Sequence, residues 1–300
     1  MRYLIVGLLA VALASCAPKE EEPFGIIDKL YKDYELQPNA ERAEVYLDSL
    51  RVFIAEHGSE KELIKPYLQQ GVQVGIEQGQ LSVVPGFLLP LLRYYPELEN
   101  RKDYALRLGD VLYALRKPHA ASVVYKDLIQ AYPSDNAVIA KQDLIDSLAL
   151  AQEDYLTYLF DQLLVNPDEY GINKAAALKY VDAVEAKALI SPADPAVPGH
   201  LYGAAEVARS MRTFPKAMSL YDWIIEDYPD NEKTPNVLFI KGFILEQDYK
   251  LENEAKAAYE LFLEKYPDHQ MAESAQFLLN NLGKSDQQIL EEIEKRRSAG

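Results

Sequence analysis

AAYELFLEKYPDH, residues 257–269, holds two tyrosines separated by six residues, with a proline directly after the second. The pattern returns in SLYDWIIEDYPD, residues 219–230, and in VVYKDLIQAYPS, residues 123–134. Counted from an upstream alanine, the three segments place Ala121, Tyr125 and Pro133, then Ala217, Tyr221 and Pro229, then Ala255, Tyr259 and Pro267, with offsets of 4 and 8 each time. Within each segment apolar residues fall at i, i+3, i+4 and i+7, as in Tyr259, Phe262, Leu263 and Tyr266. That is one face of an amphipathic helix. Proline donates no backbone hydrogen bond, and it pushes the residue before it out of the α region. Tyr-Pro therefore reads as the last turn of a helix and its stop.

A second helix precedes each of these. Gly109 lies twelve residues before Ala121, Ala205 twelve before Ala217, and Gly242 thirteen before Ala255. Paired small residues let antiparallel helices approach closely across a short turn. The thirteenth residue enters the last turn, around residues 250–253. A weaker unit keeps the offsets at Val84, Leu88 and Pro96, with Leu in place of Tyr. Gly71, Gly75 and Gly79 recur every four residues. The spacing suits close helix contact but lacks the turn and lysine of a phosphate loop.

Small residue, small residue, aromatic and proline at these spacings resemble the tetratricopeptide repeat, a helix-turn-helix unit of about 34 residues. The Tyr-Pro endings resemble the subgroup in bacterial envelope proteins, such as the lipoprotein of the outer-membrane barrel assembly machinery and the periplasmic coordinator of the Tol-Pal system. The first helices lack the family's leading aromatic, and Ala105 and Leu201 stand there. The resemblance implies an all-α chain, an α-solenoid of helical hairpins over residues 25–300. Its clearest repeats span about 68–133 and 197–283, with an irregular helical middle at 134–196. Helices are expected at 39–57 with Asn39 as cap, 137–164, 173–188, 271–282 and 287–297. The last two would cap the array, with Gly283 as a helix stop. Residues 189–198, LISPADPAVP, form a Pro-rich connection. No strand is expected.

The first fifteen residues read as a lipoprotein signal peptide. Arg2 precedes an 11-residue apolar run, LIVGLLAVALA, which suits a signal peptide and is too short to span a bilayer. Leu13, Ala14, Ser15 and Cys16 then resemble the bacterial lipoprotein box. The resemblance implies cleavage before Cys16, a diacylglycerol on its thiol and an acylated amine. Cys16 is the only cysteine, so the acylated chain has no thiol left for a disulfide. Residues 16–24 form the lipidated cysteine and a polar tether. Its Ala17 does not resemble an inner-membrane retention residue, which points to the outer membrane. Lys19 with Glu20, Glu21 and Glu22 resembles a surface-export tag of one bacterial phylum, yet a solvated linker explains the same residues. The expectation is a periplasmic face.

Charge narrows the partners. The chain carries 31 basic and 47 acidic residues, and losing Arg2 with the signal leaves 30 against 47, a net charge of −17. That argues against nucleic acid or anionic lipid as the main partner. The four histidines, His57, His119, His200 and His269, have no second His or Cys at ligand spacing, and they read as turn residues. No metal, cofactor or catalytic residue is assigned. In the resembled family the first helix of each unit lines a binding groove. Transferring those positions gives Asp103, Asp110 and Tyr113, then Tyr202, Glu206 and Arg209, then Phe239, Glu246 and Gln247. The expected function is a non-catalytic scaffold for envelope proteins, held to the membrane through acyl chains on Cys16. The alternative is a surface lipoprotein that captures a glycan or peptide, although Trp223 is the only tryptophan. A third reading, a degenerate enzyme, would need a His–carboxylate cluster.

Overall fold

The structure, a computed structural model, describes residues 23–147, 155–167 and 171–299. The signal segment, Cys16 and nearly all of the tether lie outside the described residues. Two compact units are present, Met1–Leu91 and Leu92–Gly300. Among the described residues every regular element is a helix and no strand occurs.

The first unit contains α1 (Pro23–Leu36), α2 (Ala40–His57), α3 (Lys61–Glu77) and most of α4 (Pro85–Tyr94). Asn39 caps α2 as expected, its side chain accepting from the Arg42 amide at 3.0 Å. Two of the three evenly spaced glycines are contact positions. A Cβ on Gly71 would stand 2.7 Å from the Phe87 ring, and one on Gly75 2.6 Å from a Val84 methyl. Gly79 instead takes φ +68° in the turn after α3.

The second unit continues with α5 (Arg101–Ala114), α6 (Pro118–Ala131), the short α7 (Asn136–Ile139), α8 (Gln142–Ser147) and α9 (Tyr155–Asp161), and a 3-10 turn (Gln162–Leu164). Then follow α10 (Lys174–Ile190), α11 (Val197–Ser210), α12 (Phe214–Asp227), α13 (Thr234–Gln247), α14 (Glu252–Lys265), α15 (Ala272–Asn281) and α16 (Asp286–Ala299). The stretch expected as one helix over 137–164 is interrupted at Ala140 and Lys141, and residues 148–154 lie outside the described residues. Three antiparallel hairpins stand where the repeats were read: α5 with α6, α11 with α12, and α13 with α14. Successive helices pack in order, an α-solenoid of tetratricopeptide-like hairpins, with α10 inserted between α6 and α11. That position explains why the second half of α10 buries residues on more than one face, Tyr180, Val181, Ala183, Val184, Ala186 and Leu189 among them. Its acidic side chains are paired with lysines of neighbouring elements, Asp182 with Lys117 at 2.8 Å and the buried Glu185 with Lys216 at 2.7 Å. α15 packs on α14.

The hairpin turns share a geometry the sequence did not announce. Arg116, Arg212 and Lys250 sit at φ +61°, +57° and +57°. Just after each, an amide reaches back across the turn at 2.9 Å: Lys117 to Leu112, Thr213 to Ala208, Leu251 to Leu245. This closes the first helix as a left-handed cap does, with a basic residue where glycine is usual. The last turn is one residue longer, as the spacing required.

The second helices end alike. Tyr132, Tyr228 and Tyr266 occupy the C-cap with φ between −131° and −133° and ψ between 53° and 59°, each followed by proline. The capping tyrosine also joins units. Tyr228 donates its hydroxyl to the Pro192 carbonyl at 3.0 Å, and Tyr266 donates to the Pro229 carbonyl at 3.4 Å.

Within a hairpin the small residue of the first helix meets the tyrosine of the second. A Cβ on Gly109 would lie 2.4 Å from Tyr125 Cε1, and one on Gly242 2.7 Å from Tyr259 Cε1. A helical Gly→Ala change with free space gains about 0.5–1 kcal/mol. Overpacking a core costs about 1–3 kcal/mol. Gly109→Ala should therefore lower the urea midpoint. Gly199→Ala, whose nearest neighbour is Lys233 Cε at 3.8 Å, should raise it. A Gly109→Ala midpoint above that of the parent would refute the contact.

Candidate functional site

The nine groove positions divide by what their side chains touch. Three carboxylates are occupied by the repeat tyrosines. Tyr125 donates to Asp110 at 2.6 Å, Tyr259 to Glu246 at 2.7 Å, and Tyr221 to Glu206. All three rings are fully buried. Burial pushes each phenol well above its ordinary pKa, and the carboxylate it feeds pushes it further. Asp110 also holds Lys141 at 2.6 Å, and Glu206 holds Arg209 at 2.7 Å. Phe239 is half-buried and packs against the core, 5.8 Å from Phe262 and 6.2 Å from Tyr259 between ring centroids. Asp103, Tyr113, Arg209 and Gln247 are exposed, and Tyr202 is half-buried.

Two of the nine, Tyr202 and Glu206, line a cleft of about 680 Å³. One wall is α9 and the 3-10 turn, through Leu156, Phe160, Asp161 and Leu164. The other is α11, through Gly199, Tyr202, Gly203 and Val207, with Lys233 at its rim. Tyr180 of α10 lies between them, edge-on to Phe160 at 5.3 Å. Gly203 makes room for it: a Cβ there would be 2.8 Å from the Tyr180 hydroxyl. The lining is mainly aliphatic and aromatic, with two carboxylates and one ammonium. The Lys233 ammonium stands 5.9 Å over the Tyr202 ring and 3.9 Å from Glu232. Volume and lining fall in the range of sites that hold a side chain or small ligand. Asp103, Asp110, Tyr113, Arg209, Phe239, Glu246 and Gln247 are not part of this cleft.

Sequence reading missed the α9 wall, because nothing in residues 155–164 repeats. The hydrophobic run LTYLF was the available signal, since it carries more apolar residues than one helix face can bury. The histidines are scattered. His57 pairs with Glu60 at 2.7 Å, and His269 accepts from the Met271 amide at 3.3 Å. His119 is not an exposed turn residue: it lies half-buried in the first turn of α6 against the Tyr155 hydroxyl. Burial and the nearby Lys179 hold its pKa down. His200 sits in α11 at the cleft. Among the described residues no group of three His, Cys, Asp or Glu side chains could hold a metal ion. Among them, too, no helix is long and apolar enough to cross a membrane.

No family model and no curated protein matches the chain. Among solved structures, the TPR2AB-domain:pHSP90-complex of yeast Sti1 is similar over 87% of this chain and 92% of that chain, with 14% sequence identity and a TM-score of 0.31. At that score the likeness says nothing about what this chain binds.

Proposed function

We propose that the protein is a lipid-anchored, non-catalytic scaffold of the bacterial cell envelope that binds other proteins through the first helices of its hairpins. The observation that carries this is what those helices leave exposed. Tyr113 and Phe243, on α5 and α13, are 45% and 44% exposed, and between their hairpins α11 contributes Tyr202 to an apolar cleft. Exposed aromatic residues and an apolar recess on the first helices suit protein recognition better than chemistry. The anchor rests on the LASC sequence at residues 13–16, and outer-membrane residence at the periplasmic face rests on the tether. Several acyl chains at about 0.8 kcal/mol per buried methylene would hold the protein stably at a bilayer.

Two linked measurements test the proposal. Cys16→Ser should move the protein from the outer-membrane pellet to the soluble fraction, and a variant that still sediments would refute the anchor. Cross-linked co-purification from intact cells, with an unrelated acylated lipoprotein as control, should recover a reproducible partner. That partner should be lost when Tyr113 and Phe243 are both changed to Asp. Recovery no better than the control would count against the scaffold.

A further inference from the structure

We infer that the cleft between α9 and α11 receives an extended, basic segment of a partner protein, which inserts an aromatic or branched aliphatic side chain and sets a Lys or Arg against Asp161. The inference rests on the scaffold reading and adds the chemistry of the partner. Three observations lead to it. The mouth of the cleft keeps apolar groups in water, with Phe160 47% and Leu164 75% exposed. Such residues at a recess mark a surface that becomes covered.

The second observation is the sign of the charge. Two carboxylates line the cleft against one ammonium, and Lys233 is already drawn toward Glu232 and the Tyr202 face. Glu206 is committed to Tyr221 and Arg209, which leaves exposed Asp161 as the rim charge facing an incoming group. The third is the field of the whole chain. With 47 acidic residues against 31 basic ones, it attracts cationic segments at long range. The Phe160 and Tyr202 rings add faces on which a guanidinium or ammonium can rest.

The test uses the whole mature chain and two fluorescein-labelled octapeptides, one alternating Lys with Phe, the other Glu with Phe, read by anisotropy. The Lys peptide should bind at least about tenfold more tightly. Asp161→Lys should weaken it about fivefold or more at low salt, and Leu164→Asn about threefold at any salt. Both side chains are exposed, so neither change threatens the fold, and thermal melts will verify this. Equal binding of the two peptides would overturn the inference. So would Lys-peptide binding unchanged in both variants, which would place it elsewhere on the acidic surface. A partner that co-purifies unaltered with Asp161→Lys and Leu164→Asn would leave the scaffold standing and remove the cleft from it.

Discussion

Raising the pH above about 10 should unfold the protein within a few pH units. Tyr125, Tyr221 and Tyr259 are buried, and each hydrogen-bonds a carboxylate, so their folded pKa values lie above the value of the unfolded chain. Below about pH 10 both states hold the phenolic protons and the stability is intact. Above it the unfolded chain releases protons that the native state retains, so stability falls as pH rises. Each tyrosine contributes a slope of about 1.4 kcal/mol per pH unit, and the three together about 4 kcal/mol per unit. Against a typical stability of about 5–15 kcal/mol, a few pH units suffice. Tyrosinate absorbance and helical circular dichroism should change together, and Tyr221→Phe should flatten the slope by one residue's share. Ordinary reversible titration of all 21 tyrosines with helicity retained would contradict the burial described here.

Arg93→Ala should cost about 2–3 kcal/mol, at or just below the lower limit for breaking a fully buried pair. The guanidinium forks onto Asp227, with Nε at 2.8 Å and Nη2 at 3.1 Å, and reaches Glu226 at 2.9 Å. It lies 5.2 Å from the Tyr94 ring and 4.9 Å from that of Trp223. Burial opposes its charge, but Asp227 more than compensates and raises its pKa. The Arg93 side chain is only 13% exposed, whereas Asp227 is 30% and Glu226 54% exposed, so water offsets part of the loss. Arg93→Lys keeps the charge and loses the fork and the stacking, which should leave it between the parent and Ala. The emission of Trp223 reports the site directly. Arg209→Ala, which breaks an exposed pair worth about 0–1 kcal/mol, is the control, and an Arg93→Ala loss no larger than that would refute the clamp.

The hairpins were legible because each rests on local rules: a helical stripe, a small residue facing an aromatic one, a proline stop. Tyr125, Tyr221 and Tyr259 with Gly109, Ala205 and Gly242 carry that signal in spacing alone. The site was less legible. Asp110, Glu206 and Glu246 looked like free groove charges because a hydroxyl donor thirteen or fifteen residues away carries no mark of direction in a sequence. Phe239 looked available for the same reason: packing on Phe262 is decided by the neighbouring helix. The pairing of Arg93 with Asp227 spans 134 residues, a separation at which no periodicity applies. The α9 wall escaped because it belongs to the part of the chain that does not repeat.

The tyrosine that caps one hairpin and donates to a proline carbonyl of the one before has a consequence for ancestry. Tyr266 ends one hairpin and its acceptor Pro229 ends the hairpin before, whereas the Pro192 acceptor of Tyr228 follows the inserted α10. A duplication running from Pro229 to Pro267, 38 residues, copies one of each and leaves no hydroxyl without an acceptor. One that begins between the two helices of a hairpin separates Gly242 from Tyr259 and exposes both halves of a core. Lineages of this chain should therefore lengthen and shorten in proline-to-proline steps.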